Sequence, residues 1–248
     1  MDATYRIQAN SGTVSSSATC TPTLPNPTTD GSTLFMFISN SGTGALSTSP
    51  LYNSDPPWVP DAAHSTVWQW WRRDNETGGE TSWPLSTTGS IAANWIWRVE
   101  EWAGLSTVSQ PDATSSNPGT NTPSIDVGLQ VNPAAGSTGA GSPASPDVPD
   151  FAGIGVFRTN AGSAAWPAAH TWTAGWSEID YQHIGDGSTT GNMAMFIVES
   201  YPGVTGSLPC ALTWDNSGGG TYTDKQVDAW VGCYQPADPG PALGILAS

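Results

Sequence analysis

Residues 67–104 read VWQWWRRDNETGGETSWPLSTTGSIAANWIWRVEEWAG, and this stretch decides the fold. It carries seven of the thirteen tryptophans, three of the six basic residues and four of the six glutamates. Two dense aromatic runs flank a polar, glycine-containing connection. From Val67 to Arg73, the set Trp68, Trp70 and Arg72 alternates with Val67, Gln69 and Trp71, which is the period of a strand with two distinct faces. From Ala93 to Trp102, the residues Ala93, Trp95, Trp97 and Val99 take one face; Ile96, Arg98, Glu100 and Trp102 take the other. A helix over Trp95 to Trp102 competes with this reading. The flanking Gly89 and Gly104, the missing caps and the aromatic content favour a strand. The two strands read as the spine of a β-sandwich. The connection from Asp74 to Gly89, centred on Trp83, is the part left with scope for function.

Toward the N-terminus, Ala3 to Asn10 suits a short edge strand, Gly12 to Ser17 a turn, and Ser17 to Leu24 a strand stopped by Pro25 and Pro27. After the Asp30-Gly31 turn, Thr33 to Ile38 (TLFMFI) is apolar on both faces and predicts a central strand. Residues 40–60 read as a loop, because Pro50, Pro56 and Pro57 oppose regular pairing. Residues 106–149 hold seven prolines and a run of Ala, Gly, Ser and Pro; they read as a long surface loop with one strand near Ser124 to Val131. Strand signals resume at Phe151 to Arg158, His170 to Trp176, Glu178 to His183, Met193 to Glu199, Ala211 to Trp214 and Gln226 to Tyr234. The sum predicts an all-β chain: a single antiparallel sandwich of jelly-roll type with about nine or ten strands. Residues 1–234 form the domain, and 235–248 form a C-terminal tail that docks on a neighbour.

Composition supports this class. Of 248 residues only 11% are charged, 10% are aromatic, and 28 Gly and 21 Pro supply turns. A core of that aromatic content sets the chain apart from disordered sequences. The net charge is −15, from a single lysine (Lys225) and five arginines against 21 acids. Phosphate backbones and anionic membranes both recruit clustered Lys and Arg, so neither nucleic acid nor a membrane is an expected partner. The acidity instead suits solubility at high local density. Three cysteines, Cys20, Cys210 and Cys233, lack a CxxC spacing. They read as three buried thiols, with a Cys210–Cys233 bridge as the alternative. The opening MDATYRIQANSG lacks the basic start and apolar run of a secretory signal. Assembly in a host cytoplasm is therefore expected.

Several motifs together carry a family resemblance. They are GTVSSSAT at 12–19, DGSTLFMFIS at 30–39, PPW at 56–58, VWQWWRR at 67–73, TSWPLS at 81–86 and AANWIWRVEEWAGL at 92–105. GIGVF at 153–157, the W-x-x-G-W from Trp172 to Trp176 and DAWVGCY at 228–234 complete the set. In this order they resemble a family of jelly-roll proteins encoded in the structural-gene regions of tailed bacteriophages. The resemblance implies a non-enzymatic virion protein, a minor tail or fibre component or a capsid decoration protein. Its implied partners are other virion proteins and its own copies, and its implied location is the virion. It brings no catalytic motif and no cofactor. Residues 106–149 depart most from the pattern.

Glu100 and Glu101 are neighbours on one strand and point to opposite faces, so they are not a catalytic pair. A Glu101–Glu178 pair would be the glycosidase reading, with Asp180 and Glu199 nearby; ion pairs to Arg98 and Arg158 are the plainer one. His64, His170 and His183 lack a metal-ligand spacing. Asp74, Asn75, Glu76 and Glu80 offer oxygens to a structural cation without an EF-hand pattern. The competing function is carbohydrate binding for host-surface attachment, with aromatic rings stacking on sugars. Trp58, Trp83, Trp166 and Trp214 lie near loop signals and are the glycan-binding candidates.

Overall fold

The computed structural model describes residues 4–41, 45–47, 51, 54–64, 68–107, 113–117, 135–139, 153–161, 169–172, 174–184, 192–200, 211–215, 226–234 and 236–237. The chain is nearly all-β, and every strand pairing is antiparallel. The first large sheet has five strands: β1 (Tyr5–Ser17), β3 (Thr33–Asn40), β4 (Val59–His64), β5 (Trp68–Arg73) and β7 (Ala93–Ala103), in the order β1-β7-β3-β5-β4. The short β2 (Thr19–Cys20) and β6 (Leu85–Ser86) pair with each other. A second five-stranded sheet contains β8 (Ala113–Asn117), β10 (Gly153–Ala161), β12 (Ser177–Ile184), β13 (Asn192–Ser200) and β15 (Gln226–Cys233), in the order β12-β13-β10-β15-β8. A third sheet runs β11-β14-β9, from β9 (Ala135–Gly139), β11 (Ala169–Trp172) and β14 (Ala211–Asp215).

β3 is central and every one of its residues is buried, as an apolar run with no polar face requires. The alternation in β7 sorts its side chains into two cores. Ile96 and Trp102 join Phe35, Phe37 and Trp70 with Ile184, Met193, Met195, Ile197 and Tyr234, residues drawn from both large sheets or just beyond them. Ala93, Trp95, Trp97 and Val99 face the other way, with Leu34, Met36, Ile38 and Trp71. That second core is closed by irregular chain: Cys20, Leu24, Leu46, Leu51, Trp58, Trp83 and Leu85 cover it.

The cover is stitched through its backbone. Leu24 N donates to Thr81 O, Thr28 N to Glu80 O, Gly31 N to Glu76 O and Trp83 N to Pro22 O, at 2.7–3.0 Å. The connection after β1 and the connection after β5 are thus zipped together over the sheet. Gly78, at φ +79, lies where a Cβ would meet Asp30 N at 3.1 Å and Thr28 O at 3.2 Å, so this crossing needs a glycine.

Several expectations are corrected. Gly12 to Ser17 is strand, not turn. Gly12 sits opposite Trp97 and Val14 opposite Trp95, and a Cβ on Gly12 would come within 2.9 Å of the Trp97 ring. Small residues there make room for cross-strand indoles. Past Ser17, which ends β1, the stretch to Leu24 yields only the two-residue strand β2, because this segment leaves the sheet to cap it. Val59 and Pro60, expected as the end of a loop, begin the edge strand β4, where a missing N–H costs no ladder bond. Two strands, β8 and β9, lie inside the long segment 106–149; the strand expected at Ser124 to Val131 lies outside the described residues. At the tail, Ala237 N donates to Gly104 O at 2.8 Å; residues 238–248, where docking on a neighbour is expected, lie outside the described residues. Cys20 and Cys233 are buried thiols outside any disulfide, and Cys210 lies outside the described residues. Burial pushes the Cys20 thiol up to about 12.

Candidate functional site

Two of the four candidate sugar-stacking tryptophans are described with their side chains, and both are enclosed. Trp58 is 1% exposed and Trp83 6%, and they pack edge to face at 5.8 Å and 87° within the capped core. A ring so enclosed offers no face to a pyranose. Trp166 lies outside the described residues. Trp214 falls in β14, opposite His170 of β11, with its side chain outside the description.

The acidic loop after β5 is organised around a cation from the chain itself. Arg73 is fully buried and reaches Glu80 at 2.5 Å and the Asp55 carbonyl at 2.8 Å. Its Nε lies 3.3 Å from Glu76 Oε2, an ion pair whose angle falls short of a hydrogen bond. Its guanidinium also sits 6.0 Å from the Trp58 ring centroid. Trp83 Nε1 donates to Glu80 at 2.9 Å. Asp74 pairs with Arg72 instead. The oxygens that could have held a metal ion therefore face guanidinium groups. Burial, only partly offset by Arg73, raises the Glu76 carboxyl above its ordinary range.

On the opposite face of β5, Arg72 Nε donates to both Asp61 oxygens, at 3.3 and 3.0 Å. The Tyr234 hydroxyl donates to Asp61 at 2.9 Å and accepts from Trp70 Nε1 at 3.0 Å. This relay clips edge strand β4 to the residue after β15. Burial raises Asp61 despite Arg72, and burial with the Asp61 charge raises Tyr234 well above 10.

The carboxylates of β7, β12 and β13 meet where edge strands β1 and β12 approach each other. Arg98 donates to Glu100 at 2.5 Å and to Asp180 at 3.0 Å. The other oxygen of Glu100 accepts from Trp102 Nε1 at 2.8 Å. Arg6 donates to Glu199 at 2.6 Å, and Gln182 bridges Asp180 and Ser11 at 3.0 and 3.1 Å. Burial would lower Arg98, but Glu100 and Asp180 reverse this and raise it. Burial raises Glu199; Arg6 opposes the shift and Glu100 adds to it. Glu101 is on the other face, taking Gln8 Nε2 at 2.6 Å and Thr29 N at 2.5 Å. The Glu101–Glu178 pair of the competing glycosidase reading is therefore not formed. The network joins the two large sheets, and both oxygens of Glu100 are committed to it.

A second aromatic group is not visible as a unit in the sequence. Tyr181 and His183 of β12, Phe196 of β13 and Trp172 of β11 gather on the face of the second sheet away from the first. Glu178 lies beside them and accepts from Trp172 Nε1 at 2.9 Å. Alternation predicts Tyr181 and His183 on one side of a strand, but only the sheet register brings Phe196 opposite Tyr181.

Compared with known protein families, curated proteins and solved structures, the chain matches none. No helix among the described residues is long and apolar enough to cross a membrane.

Proposed function

We propose that this chain is a non-enzymatic structural protein of a tailed-bacteriophage virion, a minor tail or fibre component or a capsid decoration protein. Its fold is a two-sheet sandwich of jelly-roll type. The observation that carries the reading is the position of the motifs behind the family resemblance. The strands holding GTVSSSAT, DGSTLFMFIS, VWQWWRR and AANWIWRVEEWAGL fall in one sheet, in the order β1-β7-β3-β5. The strands holding GIGVF and DAWVGCY are direct neighbours in the other, β10 beside β15. Motifs far apart in sequence are thus framework partners, as a shared fold would demand. The cluster of buried residues drawn from both sheets supports the sandwich.

Charge supports the same reading. Arg6, Arg72, Arg73 and Arg98 all form ion pairs within the chain, three of them with side chains no more than 7% exposed. Among the described arginines none has a side chain more than 27% exposed, so the described exterior is mostly acidic and neutral, which suits solubility of densely displayed copies. Contacts with neighbours would run along the sheet edges, β1 and β4 in the first sheet, β8 and β12 in the second. Peptide mass spectrometry of purified virions tests the proposal. The chain should appear in stoichiometric amount with other particle proteins; its absence from particles whose host cells contain it would overturn the reading.

A further inference from the structure

Three carboxylates and two guanidiniums meet where β1 and β12 approach each other: Glu100, Asp180 and Glu199 against Arg6 and Arg98. With every group ionised, the cluster carries one negative charge in excess. Its carboxylates are enclosed, with the side chains of Glu100, Asp180 and Glu199 only 1%, 11% and 13% exposed. A surplus charge in such a place is unfavourable, and a proton or a bound cation relieves it. Among the described residues, no group of three or more Asp, Glu, His or Cys side chains is placed to hold a metal ion.

Glu199 is the group placed to take the proton. Glu100 accepts from Arg98 with one oxygen and from Trp102 Nε1 with the other. Asp180 accepts from Arg98 and Gln182, again with both oxygens. Among the described residues Glu199 accepts from Arg6 alone, whose side chain is 27% exposed and partly screened by water. A neutral Glu199 keeps that bond through its carbonyl oxygen. Burial raises the Glu199 carboxyl; Arg6 opposes the shift, Glu100 adds to it and Arg98 opposes it again.

The place is mechanically weak. β1 and β12 are edge strands with ladder bonds on one side only. Each also has a register shift beside the cluster, between Arg6 and Gln8 in β1 and between Glu178 and Asp180 in β12. Side chains bridge the two strands: Gln182 Nε2 donates to Ser11 Oγ at 3.1 Å, close to the Arg6–Glu199 and Arg98–Asp180 pairs. An edge held in this way opens at lower cost than a central strand.

We propose that the cluster is a proton-operated clasp between the two large sheets: neutral Glu199 balances its charge and holds β1 beside β12, and ionised Glu199 loosens it. Glu199 binds its proton more tightly in the folded chain. The stabilisation is therefore complete below the unfolded value and lost as pH rises through the folded one. The clasp does not depend on the virion reading.

Hydrogen exchange of the full-length chain, read by mass spectrometry from pH about 5 to about 8 with intrinsic rates divided out, tests the clasp. Protection of residues 5–11 and 177–182 should fall several-fold over this range, while central strand β3 keeps its protection. Glu199→Gln stays neutral and still accepts from Arg6, so both segments should stay protected throughout. Arg6→Gln removes the guanidinium bonded to Glu199, so the midpoint of the loosening should move to higher pH. The infrared difference between wild type and Glu199→Gln should show the carbonyl band of a protonated carboxyl at the acid end and lose it at the alkaline end. A Glu199→Gln profile parallel to the wild type, an unmoved midpoint in Arg6→Gln, the absence of that band, or equal loss of protection in β3 would each overturn the proposal.

Discussion

The two faces of the first sheet close their cores in different ways. On one face the core is shared with residues of the second large sheet, and strand register orders their placement. The other face is covered by connections, which bury Trp58, Trp71, Trp83, Trp95 and Trp97 under chain with almost no periodic structure. The regular side is pinned at its margins by the Arg98–Asp180, Arg6–Glu199 and Tyr234–Asp61 links. The irregular side depends on one buried cation, Arg73, and on backbone hydrogen bonds between two loops. An irregular cover can close a core as tightly as a sheet if its polar groups find partners within it.

The neighbours Trp70 and Trp71 give the sharpest way to break this comparison, since each is 1% exposed on a different face. Either change to alanine should cost about 3–5 kcal/mol in urea unfolding. Hydrogen exchange should separate them. Trp71→Ala should speed exchange in residues 18–32 and 76–87 while β13 stays protected; Trp70→Ala should loosen β13 as well. Equal exchange patterns would mean that the two cores melt as one.

Arg73→Met comes next. It leaves Glu76, itself fully buried, without its countercharge, at a cost of about 3 kcal/mol or more. Adding Glu76→Gln should recover part of the loss; no recovery would show that Arg73 acts through packing on Trp58. Tyr234→Phe removes the donor to Asp61 and the acceptor for Trp70, for about 1–3 kcal/mol, read from the thermal midpoint. Gly12→Ala should cost on the order of 1 kcal/mol, because β1 is an edge strand and can shift away from the Trp97 ring.

The smallest effect is a pH slope. Asp61, Glu76 and Glu199 all have carboxyls raised above their ordinary values of 3.8, 4.5 and 4.5. A raised carboxyl binds its proton more tightly when folded. Its stabilising effect is therefore complete below the unfolded value and lost as pH rises through the folded one. Acidification from neutrality toward pH about 4.5 should thus favour the fold through these three groups. In Glu199→Gln the gain in urea midpoint on acidification should be smaller than in the wild type. A gain of equal size would remove Glu199 from the linkage.

What the sequence made legible was whatever repeats at the strand period. The two faces of β7 and the double-sided burial of β3 follow from alternation and apolar content, and the structure agrees with both. The cover over the second core was not legible. Trp58 and Trp83 lie among prolines and glycines, where exposure is the ordinary expectation, and only a long-range zipper between residues 18–32 and 76–87 buries them. β1 was missed in part for a similar reason. Its Gly and Ser residues signal a turn locally, but Gly12 is small because of the Trp97 indole on the neighbouring strand. The aromatic group of Tyr181, His183, Phe196 and Trp172 was half legible: Tyr181 and His183 share a side by alternation, but Glu178 joins them only through a bulge.

The inward placement of the arginines has a consequence for durability. Trypsin-like proteases must draw a basic side chain and its extended backbone into a cleft. The chain has only six Lys and Arg residues, and Arg72, Arg73 and Arg98 are held in strands with their side chains in ion pairs. Cleavage at these three positions requires unfolding first, so the native protein should resist trypsin there. The same scarcity means that a tryptic digest of the denatured chain gives a few very long peptides. A protease that cuts beside aromatic residues would reveal it far more readily.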